Sequence, residues 1–197
     1  MFEVERMSHF FAYISRLKLI KRWSLMRNTG RENTQEHSWQ VAVIAHSLAV
    51  IKNRFYGGSL NAEHAAVLGL YHDVSETITG DLPTPVKYAN REITAAFHDL
   101  EAKAVDTLKN MLPAEMRADY EPVLSPPKSE EEELVHIADK ICAYIKCAEE
   151  VAAGNHEFAV AYKTIGEKLQ SYNDHPEVAY FMENFIPSFS LTLDEIS

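Results

Sequence analysis

A histidine and an aspartate stand side by side at His72-Asp73, inside the run Leu70-Tyr71-His72-Asp73-Val74-Ser75-Glu76. A second carboxylate, Glu76, follows one helical turn after His72. Burying such groups without partners costs several kcal/mol each, so their place among apolar residues demands compensation. A divalent metal ion is the usual answer. The other groups able to hold one are His37 and Asp139, each on an apolar stripe at helical spacing. Two imidazoles and two carboxylates make a nitrogen–oxygen ligand set suited to Mn, Fe, Co, Zn or Mg ions. Such a set leaves room for water and substrate oxygens, as a catalytic site requires. Plainer readings stand beside this one. A core histidine such as His37 is commonly no more than hydrogen-bonded, and Asp139 fits an exposed helix carboxylate equally well by periodicity. His136, one turn before Asp139, stays open as a ligand, whereas the remaining histidines read as structural or exposed.

These groups need helices to position them. Residues 8 to 21 place Phe11, Ile14, Leu17 and Ile20 on one stripe, and Ser24 to Glu32 reads as a loop. A helix is predicted from about Gln35 to Asn53, with His37, Val41, Ile44, Leu48 and Ile51 on its core face. Trp39, Val43 and Val50 make the opposite face apolar too, which predicts a central helix covered on both sides. Asn61 caps a helix carrying Ala65, Leu68, His72 and Glu76 along one side. Gly80, Pro83 and Pro85 then enforce a loop. A long helix follows from about Asn90 to Met111, and the prolines between 113 and 128 predict a connector without a stable helix. Ser129 with Glu132 forms a capping box for a helix reaching about Ala153, on which Asp139 lies with Val135, Cys142 and Lys146. Two more helices are expected near 156–171 and 175–185.

Bulk properties agree with an all-α, single-domain helical bundle over residues 1–197. The chain is 46% hydrophobic and 24% charged, with only seven glycines and no alternating β-branched runs. A net charge of −10 argues against a nucleic-acid polymer or an anionic membrane as partner. One basic stretch runs against this balance: Arg16, Lys18, Lys21, Arg22, Arg27 and Arg31 occur with no acid among residues 16 to 31. It is either an attractor for a small anion or a solvated face. Cys142 and Cys147 lack metal-finger spacing and read as core thiols in a reducing compartment. The charged N-terminus does not read as a secretory signal, and no apolar run is long enough to span a bilayer, so the expected location is cytoplasmic.

The order His…His-Asp…Asp on helices resembles the HD-domain metal-dependent phosphohydrolases. The surrounding text is similar to one branch, the bacterial 5′-deoxynucleotidases. The stretches that carry this are Ser-His-Phe-Phe-Ala from 8, Leu-Lys-Leu-Ile-Lys-Arg-Trp from 17 and Glu-His-Ser at 36–38. Further along come His-Asp-Val-Ser-Glu at 72–76, Thr-Gly-Asp-Leu-Pro-Thr-Pro-Val-Lys-Tyr at 79–88 and Ala-Asp-Lys-Ile-Cys-Ala-Tyr-Ile-Lys-Cys at 138–147. The similarity runs from about Met7 to the C-terminus, and the residues ahead of it are expected to be peripheral.

The resemblance implies an all-helical homodimer that removes phosphate from deoxyribonucleoside 5′-monophosphates with one divalent ion, cobalt, manganese or similar. By position His37, His72, Asp73 and Asp139 would be its ligands, and Arg22 would orient the phosphate. Trp23 would pack by the sugar and disfavour a ribose 2′-hydroxyl, although from sequence alone it reads as core filler. Asp81, Leu82, Pro83 and Thr84 would line the nucleotide. Ser24 departs from the family, where proline is expected beside the Arg-Trp pair, and bears on the strictness of sugar selection.

Phosphate monoesters hydrolyse very slowly without a catalyst, so the site must lower the barrier greatly. A divalent ion lowers the pKa of water, and a guanidinium at Arg22 pairs with phosphate more specifically than a lysine does. Glu76 is placed either to relay a proton or to orient His72, and Asp81 either to assist proton transfer and sugar binding or to form a turn. Two rival functions keep the same ligands. One is HD-type hydrolysis of nucleoside triphosphates or cyclic nucleotides; the other is a non-catalytic, metal-stabilised nucleotide-binding module.

Overall fold

Helix α2 (Thr34–Phe55) runs through the middle of the molecule, and its apolar face decides what surrounds it. The computed structural model describes residues 7–172 and 174–197, so the segment ahead of Met7 lies outside the described residues. In chain order, α1 (Phe10–Ile14) leads through a 3-10 turn at Ser15–Leu19 to a loop and then α2. The chain continues as α3 (Ala62–Tyr71), α4 (Glu76–Thr79), α5 (Thr84–Lys87) and α6 (Arg91–Met111). The last four helices are α7 (Arg117–Leu124), α8 (Glu130–Ala152), α9 (Ala159–Gln170) and α10 (Pro176–Asn184). Among the described residues the one β-type pairing is an isolated antiparallel bridge, Lys21 with Asn33. No helix among them is long and apolar enough to cross a membrane.

The caps at Asn61 and Ser129 begin their helices as expected, but only half of the Ser129–Glu132 box forms, because the Glu132 carboxylate pairs with His136, and Asn90 proves to be a cap as well. Asn61, Asn90 and Ser129 accept backbone N–H groups of His64, Ile93 and Glu132 at the starts of α3, α6 and α8. Glu130 to Glu133 then sit on the positive end of the α8 dipole. At the start of α2, Asn33 and Glu36 form a reciprocal capping box. Val41, Ile44 and Leu48 of α2 meet Ala65 and Leu68 of α3 and Ile137, Ile141 and Ile145 of α8 in the main core. Cys142 and Cys147 are buried free thiols in and beside this layer.

Gly69 sets the distance between α2 and α3. A Cβ there would lie 2.7 Å from Ala42 Cα and 2.9 Å from Ala42 N, so only glycine permits this approach. The consequence is felt a few residues on, where His72 leaves the end of α3 beside His37, with ring centroids 5.3 Å apart.

Several segments differ from the sequence reading. Residues 8–21 divide into a short α-helix and a 3-10 turn, and the fully buried aromatic is Phe10, with Phe11 exposed. Phe10 packs in a second core with Val74, Leu108, Leu112 and Leu124. Helix α3 stops at Tyr71, and residues 72–75 form tighter turns with hydrogen bonds from Val74 N to Tyr71 O and from Glu76 N to Asp73 O. Residues 117–124 are helical despite Pro122, because Leu124 is buried and Tyr120 packs edge-on to Phe10 and Tyr71. Trp39, Val43 and Val50 are exposed, with Trp39 at 64%. Among the described residues, the elements packed on α2, chiefly α3, α8, α10 and the 3-10 turn, leave that face uncovered.

Candidate active site

Three segments remote in sequence converge at the N-terminal half of α2. His37 comes from its first turns, His72 and Asp73 from the turn after α3, and Asp139 from the middle of α8. One ligand atom from each of His37, His72 and Asp139 lies within 4.8 Å of the others. His37 Nε2 is 3.0 Å from Asp139 Oδ1 and 3.7 Å from Asp73 Oδ2, and His72 Nε2 is 3.0 Å from Asp73 Oδ2. His136 is elsewhere: it is exposed and pairs with Glu132 on its own helix.

The second nitrogen of each imidazole is directed away from this centre. His72 Nδ1 meets the Gly69 carbonyl at 2.8 Å, which selects the tautomer whose Nε2 lone pair faces inward. His37 Nδ1 faces Glu32 Oε1 at 3.4 Å. His37 Nε2 and His72 Nε2 are buried without a hydrogen-bond partner among the described residues. Buried nitrogens of this kind, aimed at two carboxylates, are what a divalent ion satisfies.

The electrostatics agree. Burial opposes a charge on His72, but Asp73, with Asp139 and the Gly69 carbonyl, outweighs it and pushes the imidazole up to about 9. Burial likewise opposes the charge on Asp139, yet His37, 3.0 Å away, with His72 and Arg22, holds its carboxyl well below the usual range. The group therefore favours positive charge at its centre, and the donor set fits a divalent ion.

Arg22 reaches the same centre from the loop ahead of α2. Its Nη1 lies 3.5 Å from Asp73 Oδ2 and its Nη2 3.9 Å from Asp139 Oδ1, with little solvent exposure. Of the basic stretch, this is the side chain that enters the cluster. Arg27 pairs instead with Glu157 at 2.7 Å. The neighbouring Trp23 holds φ at +55°, a left-handed conformation that costs a non-glycine residue ~1–2 kcal/mol. Its carbonyl accepts from Met26 N and Asn28 Nδ2, its indole N–H donates to Glu32, and its ring packs on Phe158. Ser24 is exposed in the turn that follows.

This loop is stapled to the end of α8. The buried carboxylate of Glu150 accepts from Thr29 N at 2.8 Å, Thr29 Oγ1 at 2.7 Å, Gly30 N at 3.0 Å and Asn155 Nδ2 at 2.8 Å. Lys146 pairs with it and donates to the Gly30 carbonyl. Burial opposes the charge on Glu150, but Lys146 and these donors hold its carboxyl far below the ordinary range.

Glu76 sits beside the centre, where Thr34 Oγ1 donates to its Oε2 at 3.0 Å. Since the Gly69 carbonyl holds His72 Nδ1, the orienting partner of that imidazole is backbone and not Glu76. Burial, then Asp73 and Asp81, push Glu76 up to about 8. Asp81 follows Gly80, whose φ of +72° ends α4 and turns the chain toward the site. Burial and Asp73 raise its carboxyl while Arg22 opposes. Leu82 and Pro83 are half-buried and Thr84 is exposed; none makes a side-chain hydrogen bond to the cluster. Glu32, Thr34 and Glu150 escaped the sequence reading. Glu32 offered no periodic or motif signal, whereas Glu150 continues the α8 stripe one turn past Lys146 and the Asn33–Glu36 capping box marks the turn that holds Thr34.

The model of a family described as "5′-deoxynucleotidase YfbR-like" matches residues 9–189. A 5′-deoxynucleotidase of Vibrio vulnificus is 55% identical over 192 residues, 96% of this chain and 98% of its own. One of Photorhabdus laumondii is 54% identical over 193 residues, 97% and 98% of the two chains. In three dimensions the chain is similar to an HD-domain phosphohydrolase of Listeria innocua. That likeness has a TM-score of 0.81 and 25% identity, covering 92% of this chain and 88% of the other.

Proposed function

The chain belongs to the YfbR-like 5′-deoxynucleotidase family, and from that membership and the site geometry we propose that it hydrolyses deoxyribonucleoside 5′-monophosphates to deoxyribonucleosides and phosphate. It is on this reading a phosphoric monoester hydrolase. The observation that carries the proposal is the Arg22 guanidinium, set beside Asp73 and Asp139 at the convergence of His37, His72 and Asp139. A phosphate dianion bound there meets a guanidinium able to pair with two of its oxygens.

His37, His72, Asp73 and Asp139 would hold one divalent ion, cobalt, manganese or similar. When bound, the ion supplies positive charge that lowers the pKa of water and draws electron density from phosphate oxygens. Arg22 exchanges its carboxylate contacts for the phosphate and orients it. Trp23 lies next to Arg22 and, with its ring braced on Phe158, offers a rigid wall to the sugar. Asp81, Leu82, Pro83 and Thr84 line the nucleoside side of the pocket. Glu76 carries the proton between the attacking water and the departing 5′-oxygen, a role its carboxyl suits by being raised toward neutrality. The same reading makes residues 1–197 one domain, places the protein in the cytoplasm, and takes it as a homodimer. What supports the dimer is the apolar stripe Trp39, Val43 and Val50, left exposed on α2.

The test is phosphate release from dAMP, AMP and dATP by metal-free protein, with individual divalent ions added back. Release from dAMP well above AMP and dATP is expected. Absence of release from dAMP with every ion refutes the proposal, equal turnover of AMP removes the role of Trp23, and release from dATP alone favours a triphosphate hydrolase.

A further inference from the structure

Glu32 lies outside every motif described above, yet it touches three parts of the site at once. Its Oε1 is 3.5 Å from Arg22 Nε and 3.4 Å from His37 Nδ1, and its Oε2 accepts the Trp23 indole N–H at 3.1 Å. The first two are close approaches beyond ordinary hydrogen-bonding distance, and the third is a well-formed hydrogen bond. Arg22 Nε and His37 Nδ1 are buried and make no hydrogen bond among the described residues, and Glu32 Oε1 is the carboxylate oxygen that faces both. The backbone supports the same arrangement. Arg22 N donates to the Glu32 carbonyl at 3.1 Å beside the Lys21–Asn33 bridge, so the two residues are held in register.

We propose that Glu32 is a positioning residue. It ties the phosphate-orienting guanidinium, the sugar-facing indole and the metal-binding imidazole to one carboxylate. Its roles follow from its geometry. Toward His37 it selects the tautomer that carries the proton on Nδ1 and presents Nε2 to the metal. Toward Trp23 it fixes the side chain of a residue whose backbone is already held in a left-handed conformation. Toward Arg22 it takes the Nε edge and leaves both terminal nitrogens for phosphate. A glutamine at this position keeps the volume but has one acceptor oxygen, so it satisfies one side and turns an NH2 group on the other.

The inference rests on the nucleotidase reading for the sugar and phosphate arms but not for the metal arm. The experiment compares wild type with Glu32→Gln and Glu32→Asp. Metal affinity is measured by competition with a chromogenic chelator, and kcat and KM are measured for dAMP and AMP. Circular dichroism checks the fold. Glu32→Gln is expected to weaken metal binding ~10–100-fold, the range that loss of a ligand's hydrogen-bond partner produces. It should also lower the dAMP preference over AMP. Glu32→Asp keeps the charge and should recover part of the metal affinity. Unchanged metal affinity together with an unchanged dAMP-to-AMP ratio overturns the proposal, whatever happens to thermal stability. If wild type hydrolyses no nucleotide, the functional reading fails while the chelator measurement still decides the role of Glu32 toward His37.

Discussion

Replacing Glu76 by glutamine separates proton transfer from metal binding more cleanly than any other change in this site. The side-chain volume stays nearly the same, and the amide oxygen can still accept from Thr34 Oγ1, now 3.0 Å from Glu76 Oε2. His72 is held by the Gly69 carbonyl at 2.8 Å and is untouched by the change. Metal affinity should therefore remain within a few-fold of wild type. The loss is a carboxyl group able to give and take a proton, which contributes ~10²–10⁴ in rate. At 1.36 kcal/mol per decade this is about 3–5 kcal/mol on the activation barrier. A stability readout goes the other way. Because burial and the charges of Asp73 and Asp81 push Glu76 from 4.5 up to about 8, its ionisation costs folding free energy as pH rises between those values. Glutamine removes that cost, so the metal-free variant should melt no lower than wild type at pH 8. The assays are dAMP turnover across pH 5–9, chelator competition and thermal melts, and the limb of the rate profile owed to Glu76 should disappear. Turnover within threefold of wild type would refute a proton role, and a tenfold or greater loss of metal affinity would make Glu76 part of the metal's own support.

Two further perturbations test the scaffold. Gly69→Ala would drive a Cβ to within 2.7 Å of Ala42 Cα, a contact that shortening the Ala42 side chain cannot relieve because backbone is involved. It should cost ~1–3 kcal/mol by overpacking and weaken metal binding by moving His72 away from His37, seen as a lower Tm and a higher metal Kd. Glu150→Gln leaves Lys146 without its carboxylate and loosens residues 27–30, so it should cost ~3–5 kcal/mol and raise KM for dAMP more than it lowers kcat. The folded-state pKa of Glu150 is depressed below 4.5, so its stabilisation is present above that pH and is lost as pH falls through the folded value. The acid limb of the wild-type stability curve should therefore flatten in the glutamine variant.

Much of this protein was legible before any coordinates. Caps at Asn61 and Ser129 announce two helix starts, because a side-chain acceptor next to orphan N–H groups is a local matter. His37 on the stripe with Val41 and Ile44, and Asp139 on that with Val135 and Cys142, follow from a repeat of ~3.6 residues that any buried helix face must keep. Motif order carried the family, and chemistry pointed to a metal. What folding decided was how remote segments meet. The helix stops short of His72, the glycine spacing between α2 and α3 sets the separation of the two imidazoles, and Tyr120 and Leu124 sustain a helix that Pro122 argues against. The apolar face at Trp39 reads as core, since periodicity reports hydrophobic spacing and not what lies opposite. Glu32 left no trace in the pattern for the same reason, and the spacing of Glu150 from Lys146 shows that pair but not the loop it holds. Each works on groups brought together by the fold, and neither carboxylate carries a spacing from which its partners in other segments can be read.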